Sequence, residues 1–415
     1  MTLNLAKLIS VARGQSPADL ILANARIVNV FAGEIETGDI AISGDYIAGI
    51  GNYGNAKKII DLQWNFLLPG FLNGHVHIES SMLDAGSYAR AVVAHGTTSL
   101  VTDLHEIANV CGMDGIEYIM QKVRNLPLDF FLMAPSCVPA THLETSGAFI
   151  GIKQIKQLLK LKSCCGLGEM MNYPGVLFTD NKVLGKIATA REKTVDGHAP
   201  GLSGKDLNAY LAAGIKSDHE SVTLNEAREK LQRGMYIMIR EGSAEKNLET
   251  LLPLVNDSTF PRCMFVVDDR NCTDLLHDGD IDAVVRKAIR LGLNPIRAIQ
   301  LATLNPATYF RLERLGAIAP GYFANLIVSN DLKTLPIDAV YYHGKLVAES
   351  QKSVFSLPVA GGKQLRNTVK IKPFKISALQ LKARGGTFPV VEIIPGQIVT
   401  RKKMIKAKNS NGFVA

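Results

Sequence analysis

Apolar and polar positions alternate with a period of two over much of residues 19–67. The stretches ADLILANARIVNVF and DIAISGDYIAGIG show this pattern, and Gly44-Asp45 and Gly51-Asn52 supply turn residues. Such alternation, interrupted by turn residues, is typical of short strands that bury one face. The pattern therefore predicts that residues 1–67 form the N-terminal part of a small β-domain.

From Leu68 the pattern changes to apolar stretches that alternate with segments of helical periodicity, such as GIEYIMQKVRNL and AVVRKAIRLGL. The apolar stretches each end in polar or titratable residues: TTSLVTD, DFFLMAPS, CCGLGEM, TVDGHAP, IKSDHE, MYIMIREGS and CMFVVDD. Repeated β-then-α units predict a parallel sheet, and a set of about eight predicts a closed barrel. We predict an α/β fold with a (β/α)8 TIM-like barrel over residues 68–314, whose chemistry lies at the C-terminal strand ends.

After Gly316 the chain returns to turns and strands. GAIAPGYFANLIVSNDL and a hairpin-like pair around His343-Gly344 predict return strands over residues 315–350. The simplest arrangement joins them to the N-terminal strands in one composite β-domain beside the barrel. Residues 351–415 contain strand-like stretches broken by Pro389 and Pro395, and we expect a basic tail that is the start of a shortened C-terminal domain.

The basic residues are concentrated in that tail. The net charge is +8, but the chain from Gln351 onward holds 13 Lys and Arg against the single acidic residue Glu392. The first 350 residues then carry 33 basic and 37 acidic residues, so the predicted barrel is mildly acidic. Aromatic residues are few in the tail, which argues against a nucleic-acid surface and favours a solvated or partner-facing segment.

Other bulk features point to a cytoplasmic protein. No apolar run reaches the roughly 18 residues that a membrane span needs, and the opening MTLNLAKLISVARG lacks the apolar core of a secretory signal. The six cysteines show no CxxC pairing, and Cys164-Cys165 are adjacent, so they do not suggest a disulfide framework. We expect a cytoplasmic homo-oligomer without a membrane partner.

A pair of alternating histidines is the first candidate for metal chemistry. His75 and His77 end the stretch NFLLPGFLNGHVHIES, and residues i and i+2 of a strand project to the same face. Both imidazoles can then reach one ion, although two surface histidines would produce the same pattern.

Further candidate ligands follow other predicted strands. His198, His219 and Asp268 each end a different stretch, and Glu169 in GLGEMMNYPG is placed to bridge two metals. Any one of these can be an ordinary polar residue at a barrel mouth, but together they form a sensible set for a hydrolytic transition-metal site. The chain does not contain the zincin motif HExxH. After His105-Glu106, Asn109 stands at the position of the second histidine.

Longer blocks surround and follow the candidate ligands: PGFLNGHVHIESSM, AHGTTSLVTDLHEIANVCG, GLGEMMNYPGV, DGHAPGLSGKDLNAYLAAGIKSDHE, FVVDDRNCTDLLHDGDID and NPIRAIQLATLNPATYFRLERLGAIAPGYFANLIV. These blocks resemble those of the adenine deaminase family of metal-dependent amidohydrolases. They follow the family's order and cover nearly the whole chain. The resemblance implies a (β/α)8 barrel and a centre of two divalent metal ions, Mn2+ or Fe2+, with Zn2+ as a further candidate.

The resemblance also implies roles for individual residues. The implied metal ligands are His75, His77, Glu169, His198, His219 and Asp268. Glu169 matches the bridging carboxylate, and Asp268 is also the expected proton carrier. Asp269, Glu106 and His105 are the expected substrate-binding residues.

Two departures from the family pattern stand out. Leu104 occupies the place of a proline in DPHE, a change expected to alter backbone stiffness and no ligand. Family members also continue beyond the PGQIVT strand into a further domain. We therefore expect the surface that this domain would cover to be bare in this chain.

The expected reaction is hydrolysis of adenine to hypoxanthine and ammonia by a metal-activated water. Two alternatives stay open at this stage. One is another amidohydrolase reaction, such as hydrolysis of a cyclic amide, and the other is a shortened, inactive homologue that acts as a binding module.

Overall fold

The computed structural model describes residues 4–357, 365–368, 370–382, 386–406, 409–410 and 413–414. The N-terminal region begins with helix α1 (Leu5–Ala12). The strands that follow are β1 (Leu20–Asn29), β2 (Glu34–Ser43), β3 (Tyr46–Gly51), β4 (Ile59–Asp61) and β5 (Phe66–Pro69). Antiparallel pairing of β1 with β2 and of β2 with β3 confirms the predicted strands and the turn at Gly44-Asp45, whereas Gly51 ends β3 and no turn forms at Gly51-Asn52.

The next region contains short parallel strands with helices between them. Its strands are β6 (Phe71–Asn73), β7 (Val76–His77), β8 (Thr97–Thr102), β9 (Asp129–Ala134), β10 (Cys164–Met170), β11 (Thr194–Gly197), β12 (Ser217–Asp218), β13 (Tyr236–Arg240), β14 (Cys263–Val266) and β15 (Asp268–Asp269). The neighbour orders are β6-β8-β9-β10-β11, β12-β13-β14 and β7-β15. Every pairing among them is parallel, and together they form a curled sheet, as the alternating pattern predicted.

Helices cover the outside of this curled sheet. They are α2 (Ala85–Ala94), α3 (His105–Val123), α4 (Ile152–Leu158), α5 (Tyr173–Leu177), α6 (Asn181–Thr189), α7 (Gly204–Ala212), α8 (Leu224–Gln232), α9 (Leu248–Leu251), α10 (Cys272–His277), α11 (Ile281–Arg290), α12 (Pro295–Leu301) and α13 (Leu304–Tyr309). In α11, Ile281, Val284, Val285 and Ala288 are buried, which is the spacing of one helical face. The helices thereby share one core with the outer face of the strands.

The return strands are β16 (Leu326–Ser329), β17 (Ala339–Tyr342), β18 (Lys345–Glu349) and β19 (Lys352–Ser353). β16 pairs antiparallel with β5, so N-terminal and C-terminal strands share one nine-stranded sheet, as the sequence predicted. His343 and Gly344 form the predicted two-residue turn between β17 and β18, and both have positive φ, as such turns require.

The described part of the tail contains two small hairpins, formed by β20 (Thr387–Ile393) with β21 (Thr400–Lys406) and by β22 (Asn409–Ser410) with β23 (Phe413–Val414). Pro389 lies inside β20 and does not break it, because a two-stranded ribbon leaves a strand edge where a missing N–H is tolerated. The chain between Phe355 and β20 is described only in part. No helix among the described residues is long and apolar enough to cross a membrane.

Candidate metal and active site

The predicted ligands converge at one end of the curled sheet because each lies in or just after a parallel strand. His77 lies in β7 and His75 directly before it, while Glu169 lies in β10 and Asp268 in β15. His198 and His219 follow β11 and β12 directly. All except His198 are buried, and the His198 side chain is 19% exposed.

Glu169 lies at the centre of this cluster. Its Oε2 is 2.6 Å from His198 Nδ1 and 3.2 Å from His219 Nε2. Its Oε1 is 3.2 Å from His77 Nε2 and 3.4 Å from His105 Nδ1. The two carboxylate oxygens therefore face different histidines, which is the arrangement that a bridging carboxylate needs.

Asp268 contacts two histidines of the same cluster, and it shares His77 Nε2 with Glu169. Its Oδ1 lies 3.1 Å from His77 Nε2 and 3.5 Å from His75 Nε2, while Oδ2 accepts a hydrogen bond of 2.6 Å from Arg240 Nη1. The backbone of Asp268 has φ of +60°, a left-handed conformation that Asp tolerates better than most residues. Such conformations cluster at functional sites, where the surrounding structure maintains them.

Asp103 is a member of the cluster that sequence reasoning missed. Its Oδ1 lies 3.2 Å from His77 Nδ1 and 3.0 Å from His105 Nδ1. This approach depends on Gly168, because a Cβ there would lie 2.7 Å from Asp103 Cβ. The sequence predicts a strand that ends at TTSLVTD, but no sequence feature distinguishes Asp103 from the polar residues that end the other strands.

Leu104, which follows Asp103, adopts φ of +51° just before helix α3. Proline holds φ near −65°, so proline at this position would require a different local backbone. Leu104 therefore adopts a backbone conformation that proline cannot adopt, and it is not among the candidate ligands. The Leu104 side chain itself is fully buried.

Glu220 and Arg240 were also missed. Glu220 Oε1 lies 3.2 Å from His219 Nε2, and it accepts a hydrogen bond of 2.5 Å from Arg240 Nη1. Arg240 thus bridges Glu220 and Asp268, and all three are almost fully buried. Both residues end predicted strands, in IKSDHE and MYIMIREGS, but a buried ion pair between strand ends leaves no sequence pattern.

The charges of the cluster stabilise each other across the site. Burial alone lowers the pKa of His219, but Glu169, Glu220 and Asp268 raise it well above its usual value overall. Burial alone raises the pKa of Asp268, but its contacts with His75 and His77 lower it well below its usual value. The site therefore maintains ionised carboxylates in a buried environment.

These residues suit divalent cations. Imidazole and carboxylate donors lie within 4.8 Å of one another in four groups: His77 with Asp103, His105 and Glu169; His75 with His77 and Asp268; His75 with Glu169 and His219; and His198 with His219 and Glu220. His75 Nε2 is buried and has no hydrogen-bond partner among the described residues. Nitrogen and oxygen donors of this kind suit transition metals, and bound cations would offset the converging carboxylates.

The three predicted substrate-binding residues lie beside this cluster. His105 contacts Asp103 and Glu169, whereas Glu106 and Asp269 are brought together by Ser80. Ser80 Oγ donates to Glu106 Oε1 at 3.2 Å and makes a short hydrogen bond to Asp269 Oδ1. Burial raises the pKa of Glu106 to about 7. Near neutral pH, Glu106 can therefore either accept or donate a hydrogen bond.

Comparison with known proteins identifies the family. The amidohydrolase family model matches residues 66–347. An adenine deaminase from Dehalococcoides mccartyi is 59% identical over 414 residues, covering 100% of this chain and 72% of that protein. The chain belongs to the adenine deaminase family of amidohydrolases. Adenine deaminase 2 from Carboxydothermus hydrogenoformans is 47% identical over 406 residues, covering 98% of this chain and 71% of that protein.

Solved structures of more distant amidohydrolases share the fold with this adenine deaminase family member. A β-aspartyl dipeptidase from Fervidobacterium islandicum superposes with a TM-score of 0.60 at 16% identity, covering 81% of this chain and 98% of that chain. A D-aminoacylase structure, described by its binuclear metal centre, gives 0.58 at 15% identity, covering 82% and 98%. At these identities the likeness establishes the fold alone.

A buried lysine supports two of the histidines in this family member. Lys230 Nζ donates to Asp218 Oδ2 at 2.8 Å and to the carbonyl of Ala199 at 2.7 Å. Ala199 N in turn donates to Asp218 Oδ1 at 3.0 Å. Because Ala199 follows His198 and Asp218 precedes His219, Lys230 holds the two histidine-bearing strand ends together.

Proposed function

We propose that the protein hydrolyses adenine to hypoxanthine and ammonia. The observation that carries this proposal is the 59% identity with adenine deaminases over the full chain, in which the His and carboxylate cluster is intact. Adenine is then the expected small-molecule substrate.

The residues that would hold two divalent metal ions are His75, His77, Glu169, His198, His219 and Asp268. Their imidazole and carboxylate donors converge within metal-binding distance of one another, and Asp103, His105 and Glu220 are additional donors in the same cluster. When bound, the ions would activate a water molecule near neutral pH. We propose Mn2+ or Fe2+, with Zn2+ as a further candidate.

Asp268 is proposed as the proton carrier. Its carboxylate is ionised, because His75 and His77 outweigh the effect of burial on its pKa, and Arg240 fixes its Oδ2. Water oxygen adds to C6 of the purine, the C6–N1 π electron pair moves onto N1, and a water proton passes to Asp268. The same proton then reaches the amino nitrogen, and the C6–N bond breaks with its electron pair on nitrogen. Ammonia leaves as the C6–N1 double bond re-forms, which gives the hydroxy tautomer of hypoxanthine.

Glu106, Asp269 and His105 are proposed to orient the purine. Ser80 holds the carboxyl groups of Glu106 and Asp269 at one place beside the cluster, where they can receive N–H groups of the ring and the amine. Because the ring is already oriented when it binds, less translational and rotational entropy is lost on reaching the transition state.

We also propose that the curled sheet closes into a (β/α)8 barrel, with the chain divided at residues 68, 315 and 351. Eight strand positions support closure: β6–β7, β8, β9, β10, β11, β12, β13 and β14–β15. Lys216 N donates to Val195 O at 3.0 Å between the fifth and sixth positions, and Asp268 pairs with Val76 between the eighth and first positions.

We further propose that the protein is a cytoplasmic homo-oligomer and that it binds neither nucleic acid nor membrane.

The test is adenine turnover by purified protein loaded with Mn2+ or Fe2+ under reducing conditions. Loss of adenine absorbance with equal release of ammonia is the expected result. Turnover of a cyclic amide such as dihydroorotate, in place of adenine, would favour the other amidohydrolase reaction. Folded, metal-loaded protein that turns over neither compound would favour the inactive binding module.

A further inference from the structure

A cavity of about 390 Å³ is bordered by the loop after β13, the loop after β15 and helix α11. None of the residues of the histidine cluster lines it. Its lining contains five cationic side chains: Lys246, Arg270, Arg286, Lys287 and Arg290. Three carboxylates also line it, and Arg286 pairs with a fourth, Asp282, at 2.6 Å, so the cavity keeps a formal excess of one positive charge.

Two of the three carboxylates of this cavity are engaged with donors of the protein. Glu241 Oε1 pairs with Lys287 Nζ at 2.6 Å, and Glu241 Oε2 accepts from Leu248 N at 3.2 Å. Asp274 Oδ2 accepts from Ser243 Oγ at 2.5 Å. The third, Asp278, is 65% exposed, so water screens its charge.

Among the lining cations, Arg286 and Lys287 have carboxylate partners, whereas the donors of Arg270 are less completely used. Arg270 is only 5% exposed, yet its Nε has no hydrogen-bond partner among the described residues. Its Nη1 donates to Glu241 O at 3.2 Å, whereas its Nη2 is 3.8 Å from Asp278 Oδ2, too far for a hydrogen bond. A buried guanidinium with unused donors is costly unless a ligand satisfies it.

The position of the cavity agrees with a general property of barrel-type folds. The loops after the seventh and eighth strands, with a short extra helix, frequently form a phosphate site in them. Here β13 and β14–β15 are seventh and eighth in chain order, and the loops after them contribute Gly242, Lys246 and Arg270 to the cavity. Arginine suits phosphate because its planar donors match the oxygens.

We propose that this cavity binds a small oxyanion of the phosphate class, either inorganic phosphate or the phosphate of a phosphomonoester. Arg270 is the buried donor of the site, and Arg290 and Lys246 are its exposed donors at the rim. The site is separate from the proposed catalytic cluster, so its test does not depend on deaminase activity.

The experiment is titration calorimetry of the metal-loaded full chain with inorganic phosphate and, separately, ribose 5-phosphate, at constant ionic strength set with chloride. The variants are Arg270→Gln and Arg290→Gln, and Lys333→Gln, an exposed residue outside the cavity, is the matched control. The exposed Arg290 variant keeps the test valid if Arg270→Gln does not fold.

We expect saturable binding that Arg290→Gln weakens about tenfold and Lys333→Gln leaves unchanged, as loss of one charge-assisted hydrogen bond predicts. Tighter binding of ribose 5-phosphate than of phosphate would identify a phosphomonoester ligand, and the reverse would identify the free anion. Heat no larger than that of chloride would overturn the proposal. So would phosphate binding that both arginine variants retain, or that adenine displaces, because it would lie in the histidine cluster.

Discussion

Arg240 Nη1 lies 2.6 Å from Asp268 Oδ2 and 2.5 Å from Glu220 Oε1, so one guanidinium joins the proposed proton carrier to a residue beside two of the proposed ligands. Asp268 and Glu220 come from different strand ends and would repel each other without it. Arg240 is 1% exposed, which leaves water little part in screening that repulsion. The ion pairs therefore fix the position of Asp268 relative to the histidines.

Replacing Arg240 with methionine should destabilise the protein strongly. Two buried carboxylates would lose their partner, which costs about 3–5 kcal/mol in comparable cases. Urea unfolding of the metal-free protein measures the loss, and Arg262→Met, at an exposed arginine, is the matched control. An Arg240→Met variant as stable as this control would show that the triad contributes little.

Asp268→Asn should greatly reduce turnover, while the other five proposed ligands keep most of the metal bound. The amide cannot carry the proton from water to the leaving amine, so kcat should fall by about 10²–10⁴-fold. Adenine turnover together with metal analysis of the purified variant measures both properties. Asp269→Asn, in the neighbouring residue, should mainly raise KM. Full activity of Asp268→Asn would rule out the proton-carrying role.

Lys230→Met should weaken metal binding although Lys230 contacts no proposed ligand side chain. The loss of its bonds to Asp218 and the Ala199 carbonyl leaves His198 and His219 without a fixed relative position. Competition with a chelator measures metal affinity, and a decrease of about 10–100-fold is expected for a supporting residue. Glu226→Gln removes the charge of another partner of Lys230 and leaves the bonds from Lys230 to Asp218 and the Ala199 carbonyl in place, so it should have a much smaller effect. Equal metal affinities in both variants would contradict the supporting role of these bonds.

Asp19→Asn should reduce stability in a pH-dependent manner. Burial alone raises the pKa of Asp19, but Lys57, Lys7 and the Gly44 amide lower it overall. A lowered folded-state pKa adds stability above the unfolded value near 3.9, and this is lost as pH falls toward the folded value. The variant should be less stable by about 1 kcal/mol at neutral pH, and the difference should shrink below about pH 4. Urea midpoints across this range test it, with Asp257→Asn, at a fully exposed carboxylate, as control. A difference independent of pH would exclude an ionic origin.

Removal of metal should lower both the melting temperature and activity. Without cations, Glu169, Asp268, Asp103 and Glu220 remain close together in a buried site. Metal that binds only the folded protein adds stability that rises with its concentration. Calorimetry after dialysis against a chelator, and again after addition of Mn2+ or Fe2+, measures the change. A melting temperature unaffected by both steps would argue against a metal site in this cluster.

The sequence predicted most of the strands and the convergence of the six proposed ligands. The pattern of apolar residues predicts where each strand lies, and the C-terminal ends of parallel strands meet at one end of a barrel. His198 and His219 could therefore be assigned to one site from the sequence. Resemblance added the expected substrate-binding roles of Asp269, Glu106 and His105. Asp103, Glu220 and Arg240 were missed because their importance lies in contacts between strand ends distant in sequence. The left-handed backbone of Leu104 was missed as well, since no turn signal surrounds it.

The pairing of β5 with β16 sets Leu68 opposite Ile327, about 260 positions later in the chain. At synthesis rates of roughly 5–20 residues per second, the β5 edge would wait on the order of tens of seconds for its partner. During that interval an apolar strand with open backbone groups is exposed to other nascent chains. Protection of this edge during translation, more than the final stability of the sheet, is then expected to determine how much folded protein a cell obtains.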